Sequence, residues 1–90
     1  MAPFVTYILF SEKLDKFYIG STSNIERRLD EHNHGKTTFT RTGIPWLLVY
    51  YEVFETKSEA MKREIEIKKR KSRKYIEKLI SVAGSDHPVL

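Results

Sequence analysis

Ninety residues with 16 Lys and Arg against 12 Asp and Glu make one domain whose modest basic excess favours an anionic partner. A chain of this size buries only about 60–65% of its unfolded surface, which allows a small core and no second domain. The absence of cysteine excludes disulfides, thiolate zinc sites and cysteine nucleophiles, and fits a reducing cytosol.

In chain order, Met1-Ala2-Pro3-Phe4 has no basic region and no long apolar run, so neither a signal peptide nor a membrane span is expected, and a cytoplasmic location is. Phe4 to Phe10 is rich in β-branched and aromatic residues and reads as a strand. The polar Ser11 to Lys16 reads as a turn, and Phe17 to Ser21 as a second strand. A four-residue loop sets Phe10 opposite Asp15 and Tyr7 directly opposite Tyr18, side by side on one sheet face. Ser23-Asn24-Ile25-Glu26 matches a capping box and opens a helix ending near Asn33-His34, with Gly35 just beyond it. Residues 36–45 are polar and Thr-rich and read as a loop. Trp46 to Phe54 is nearly continuously apolar, as in a strand covered on at least part of both faces. Thr56-Lys57-Ser58-Glu59 is a second capping box, opening a helix to about Lys69. Ser72 can cap a third helix with Tyr75, Ile76, Leu79 and Ile80 as its buried stripe. Ser81 to Leu90 has no period, so residues 1–80 are read as the domain and 81–90 as a flexible tail. The order is β-β-α-β-α-α, an α+β arrangement.

Helical wheels then single out charges. With Ile25 at 0°, Arg28 falls at about −60° and His32 at about −20°, flanking the core-facing stripe, whereas Arg27 points away at about 200°. Arg28 can simply lay its stem along apolar surface and reach outward, or it can serve a site. With Ala60 at 0°, Ile67 lies near −20°, Met61 near 100° and Ile65 near 140°; Glu64, at about 40°, sits inside that apolar arc. A carboxylate there costs several kcal/mol unless compensated. Two readings stay open: an ion pair with Arg28 or Lys68, or a metal ligand or catalytic acid/base.

Tyr18-Ile19-Gly20, Tyr7, Arg28 and Glu64 together supply two phenols, a guanidinium and a carboxylate. That set suits phosphodiester cleavage around one metal ion. The run Lys68-Lys69-Arg70-Lys71-Ser72-Arg73-Lys74 is either solvated surface or a rail for a nucleic-acid backbone, which Lys36 and Arg41 could extend. His34 and His87 have no partner ligands at suitable spacing and read as surface.

Residues 4–80 resemble the GIY-YIG nuclease family. Its second motif stands as Tyr18-Ile19-Gly20; the first is degenerate, Val5-Thr6-Tyr7 keeping only the tyrosine. Asn24 to Asn33 looks like the family's arginine-bearing helix, and Ser58 to Glu64 like the helix carrying its metal-binding glutamate. The resemblance implies a three-stranded antiparallel sheet flanked by helices. It carries the motif tyrosines onto Tyr7 and Tyr18, the arginine onto Arg28 and the glutamate onto Glu64. His32 matches a position where relatives hold tyrosine or histidine. The chain is most similar to the small single-domain bacterial branch, without the DNA-targeting domains of larger members, so a partner protein could supply targeting.

On that resemblance, Glu64 would hold Mg²⁺ or Mn²⁺ and Arg28 would stabilise charge on the transition state. A tyrosine or His32 would deprotonate the attacking water. Family analogy favours Tyr18. Intrinsic acidity favours His32, because populating a phenolate at pH 7 costs about 4 kcal/mol whereas imidazole is already mostly neutral. The implied substrate is nucleic acid, DNA before RNA, cleaved in a structure-directed or weakly selective way. The alternatives are a nucleic-acid-binding module and an interaction protein, each with this fold and no cleavage.

Overall fold

The computed structural model describes residues 3–86. The β-branched and aromatic segments form β1 (Phe4–Ser11), β2 (Lys16–Thr22) and β3 (Trp46–Phe54). These make one antiparallel sheet in the order β2-β1-β3. Three helices flank it: α1 (Ile25–Asn33), α2 (Lys57–Arg70) and α3 (Arg73–Asp86). This is the expected β-β-α-β-α-α fold.

β1 is the central strand, and its two sets of alternate side chains build two cores. Val5, Tyr7 and Leu9 pack with Trp46 against Ile25 and Leu29 of α1. On the other face Ile8 packs with Ile67 of α2 and Ile76 of α3. The same face is tied to α2 by the buried Thr6 hydroxyl, which donates to the Ala60 carbonyl at 2.7 Å.

The hairpin register differs from the expected one by two residues. Tyr7 pairs with Gly20, and Tyr18 with Leu9. Ser11 is the cause. Its side chain is fully buried and accepts a hydrogen bond from the Leu14 backbone at 3.1 Å. Ser11 therefore ends the strand, paired with Lys16, and the four-residue loop runs from Glu12 to Asp15, the last at φ 53°. An even shift leaves both tyrosines on one face. They meet diagonally, with ring centroids 6.4 Å apart.

Other departures are local. The N-cap of α1 is Asn24, whose side chain accepts from the Arg27 backbone at 3.0 Å, so the expected Ser23–Glu26 box does not form. The box at Thr56 and Glu59 does form. Within the expected loop 36–45, Thr38–Gly43 is a 3₁₀ helix, held by Trp46, whose indole donates to the Thr40 carbonyl at 2.7 Å. Met61 and Ile65, placed in the apolar arc of α2, are 45% and 54% exposed. The buried stripe of α2 is narrower and holds Ala60 and Ile67. Arg63, placed outward, instead forks onto Glu52 of β3 at 2.9 and 3.0 Å. Ser72 caps the first turn of α3 as expected. That helix runs through Asp86, so residues 81–86 of the expected tail are helical. His87 lies outside the described residues.

Candidate active site

The site begins with a missing side chain. A Cβ on Gly20 would lie 2.5 Å from the Tyr7 hydroxyl and 3.2 Å from the Tyr18 ring. Glycine therefore opens the space into which the phenol of its cross-strand partner extends. Tyr7 is 1% exposed, and burial pushes its phenol up to about 12, with the Arg28 guanidinium pulling the other way.

α1 faces this phenol with His32 and Arg28. His32 is fully buried, its Nε2 3.2 Å from the Tyr7 hydroxyl and its Nδ1 2.8 Å from the Thr40 hydroxyl. The Thr40 hydroxyl donates to the Thr37 carbonyl at 3.3 Å, so it can only accept from the ring. That assigns the hydrogen to Nδ1 and leaves Nε2 to accept from Tyr7. Burial, and then the charge of Arg28, hold the His32 pKa below its ordinary value. The imidazole is a neutral acceptor.

Arg28 lies one turn earlier, with a third of its side chain exposed, and pairs with Glu31 at 3.1 Å. The Tyr7 hydroxyl, followed by Glu31 and Tyr18, raises its pKa above the ordinary arginine range. With the Tyr7 proton directed at His32, the phenol oxygen presents lone pairs to the guanidinium. Arg27 is exposed, as the wheel indicated. Tyr18 is half-buried and braced edge-on by His32 and Trp46, at centroid distances of 4.8 and 6.2 Å.

Glu64 comes from the opposite face of the sheet. Ser21 donates to its Oε1 at 2.7 Å, and the Lys68 ammonium sits on Oε2 at 2.5 Å. Successive residues of edge strand β2 thus touch the two halves of the site: Gly20 fits around Tyr7, and Ser21 holds Glu64. The carboxylate is near enough to Tyr7 to raise its pKa further.

Among the described residues no group of three or more His, Cys, Asp or Glu side chains can hold a metal ion. Glu64 is a single hard oxygen donor with 21% of its side chain exposed. Mg²⁺ retains several waters and accepts one or two carboxylates, so the donor fits once Lys68, half exposed on a flexible stem, moves aside.

The basic residues divide. Lys36, Arg41, Lys69, Arg70, Lys71 and Lys74 are exposed, although Arg41 donates to the Gly35 carbonyl at 3.1 Å and Arg70 lies 4.4 Å over the Tyr75 ring. Lys68 is engaged by Glu64. Arg73 clasps Asp15 at 2.7 Å and Glu77 at 3.1 Å, clipping α3 to the hairpin turn. Sequence reading missed Ser21 and Thr40, which orient Glu64 and His32. A lone Ser in a strand and one Thr among several carry no periodic signal.

A family model described as the GIY-YIG catalytic domain matches residues 3–76. This chain belongs to the GIY-YIG family. A UPF0213 protein of Staphylococcus haemolyticus is 48% identical over 69 residues, covering 76% of this chain and 83% of its own. Another, from Streptococcus pyogenes serotype M3, is 45% identical, covering 74% and 75%. The solution NMR structure of a UPF0213 protein from Bacillus halodurans matches with a TM-score of 0.57 at 36% identity, over 90% of this chain and 85% of that one. Membership in the GIY-YIG family points to a nuclease-like function. No helix among the described residues is long and apolar enough to cross a membrane.

Proposed function

We propose that this GIY-YIG domain is a divalent-metal-dependent endonuclease that hydrolyses nucleic-acid phosphodiester bonds, DNA before RNA, in a structure-directed manner. The observation that carries the reading is the convergence at Gly20-Ser21: two phenols and a guanidinium arrive from one sheet face, and a carboxylate from the other. Such a set supports the reading by offering positive charge, a proton acceptor and a hard oxygen donor around one edge strand.

The burial pattern supports distinct roles for these residues. His32 and Tyr7 have almost no exposed surface, so they position other groups instead of meeting the attacking water. Tyr7 would moreover cost about 7 kcal/mol to ionise at pH 7 with its pKa near 12. It works as a neutral phenol that donates a hydrogen bond to His32 and anchors Arg28. Arg28, Tyr18 and Glu64 are the partly open members. The Arg28 fork binds phosphate oxygens and offsets charge as the transition state forms. Tyr18, as the phenolate that the adjacent guanidinium favours, would take the proton from water. Held by Glu64, Mg²⁺ or Mn²⁺ would supply Lewis-acid polarisation of the phosphate. Lys36, Lys69, Lys71 and Lys74 extend the positive surface for the backbone.

The test is cleavage of branched, flap and single-stranded DNA with Mg²⁺ or Mn²⁺ by wild type, Glu64→Ala and Arg28→Ala. Activity confined to wild type supports the enzyme. Equal activity in all three indicates a contaminant and sinks it, and salt-sensitive binding with no cleavage makes the domain a nucleic-acid-binding module.

A further inference from the structure

Phe39 is 80% exposed, more than a phenylalanine needs to be in any small domain with a core to fill. Leaving that ring in water forgoes the gain of burying it, and packing gives no reason for it. The remaining exposed large apolar side chains among the described residues are Leu47, Val53, Met61, Ile65 and Val82, on β3, α2 and α3. Phe39 is alone on the 3₁₀ segment.

Its position is fixed. The neighbouring Thr40 is fully buried, with its hydroxyl on His32 and its carbonyl on the Trp46 indole. The backbone that carries Phe39 is therefore bolted to the core of the site. The ring stands 6.1 Å from Tyr18, tilted by 52°, at the outer end of an aromatic row that continues through Tyr18 to Trp46. The segment that carries it has charge of one sign. No Asp or Glu occurs between His32 and Tyr51, and Lys36 and Arg41 flank Phe39 in sequence. An exposed ring on a rigid support, among cations and beside a phosphodiester-handling centre, has the composition of a base-stacking platform.

We infer that Phe39 stacks on an unpaired nucleobase of the substrate, next to the phosphate handled by Tyr18 and Arg28. The inference rests on the proposed nucleic-acid substrate and narrows it: the preferred strand has a base free to leave its stack at the cleavage point. A fully paired duplex hides its base faces, so the platform discriminates against it. A protein ligand would need a wider apolar patch than one ring.

The test is fluorescence anisotropy of the full chain with a labelled single-stranded oligonucleotide and with the matching blunt duplex, in EDTA so that cleavage plays no part. Phe39→Ala should weaken single-strand binding by about 5- to 150-fold and duplex binding by less than about twofold. Phe39→Trp should restore the affinity, with indole fluorescence quenched as oligonucleotide is added. Single-strand affinity indifferent to Phe39→Ala overturns the inference, as does an equal loss for duplex or the absence of oligonucleotide binding; a protein-docking role for Phe39 would give the first of these. Undiminished cleavage by Phe39→Ala with unchanged binding rejects the platform and keeps the nuclease. Stacking without cleavage in Mg²⁺ or Mn²⁺ does the reverse.

Discussion

The two faces of the sheet solve the same problem, holding a polar group next to a core, in opposite ways. On the α1 face, Tyr7, His32 and Thr40 are fully buried and bonded to one another. Each donor has its acceptor, and no charge is required. On the α2 face, Glu64 keeps a fifth of its side chain in solvent and balances its charge with Lys68, a half-exposed partner one turn away. The first arrangement is rigid because opening it strands polar atoms in a low dielectric. The second is exchangeable, because an exposed i,i+4 pair is worth at most about 1 kcal/mol. A site of this kind separates the part that must stay still from the part that must let something in.

Removing the groups that face the substrate should break the contrast most sharply. Arg28→Ala and Glu64→Ala should each lower the cleavage rate by about 10²-fold or more while circular dichroism stays that of wild type. His32→Ala should act on the fold instead. It empties a buried volume and strands the Tyr7 and Thr40 hydroxyls, so a loss of roughly 2–4 kcal/mol in urea unfolding is expected. An undiminished midpoint would contradict the rigid side of the comparison. Gly20→Ala, with its Cβ 2.5 Å from the Tyr7 hydroxyl, should cost about 1–3 kcal/mol through overpacking. It should also disturb Arg28 through Tyr7.

Titration probes the buried face more gently. The folded pKa of His32 is lowered, so between that value and about 6.5 the unfolded chain binds more protons than the folded one. Stability should fall as pH drops below about 6.5, and His32→Gln should flatten that slope. Tyr7 works at the other end: its folded pKa is raised to about 12 from 10.0. Its contribution, about 3 kcal/mol, is present below pH 10 and lost as pH rises from 10 to 12. Lys68→Met should move stability by under about 1 kcal/mol yet tighten Mn²⁺ binding, read by calorimetry. Unchanged or weaker binding would show that the ammonium does not compete for Glu64.

Much of the framework was legible. The strands, the second capping box and the Ser72 cap are local and follow from residue type and period. The wheels separated Arg28 from Arg27 because α1 is a regular helix with one face on the core. Elsewhere, tertiary contacts decided what local patterns could not. Ser11 gives no cue that it will be buried, and its burial goes with a hairpin register shifted by two. Met61 and Ile65 look like core, but a three-stranded sheet covers only a narrow stripe of α2. Arg63 reads as solvent-facing because Glu52, its partner, belongs to a strand eleven residues earlier. The structure brings Tyr7, Tyr18, Arg28 and His32 together, and places Glu64 around the strand edge from them, which a wheel cannot convey.

The strand that carries Tyr18 and Gly20 is pinned from the far end of the chain. Ser21 waits for a partner 43 residues later, and Asp15 for one 58 residues later. An isolated two-stranded hairpin is marginal in water, so the first 22 residues cannot hold their own register. A nascent chain grows by roughly 5–20 residues per second. For several seconds of synthesis the tyrosines therefore exist without Glu64 and Arg73, the residues that pin their strand.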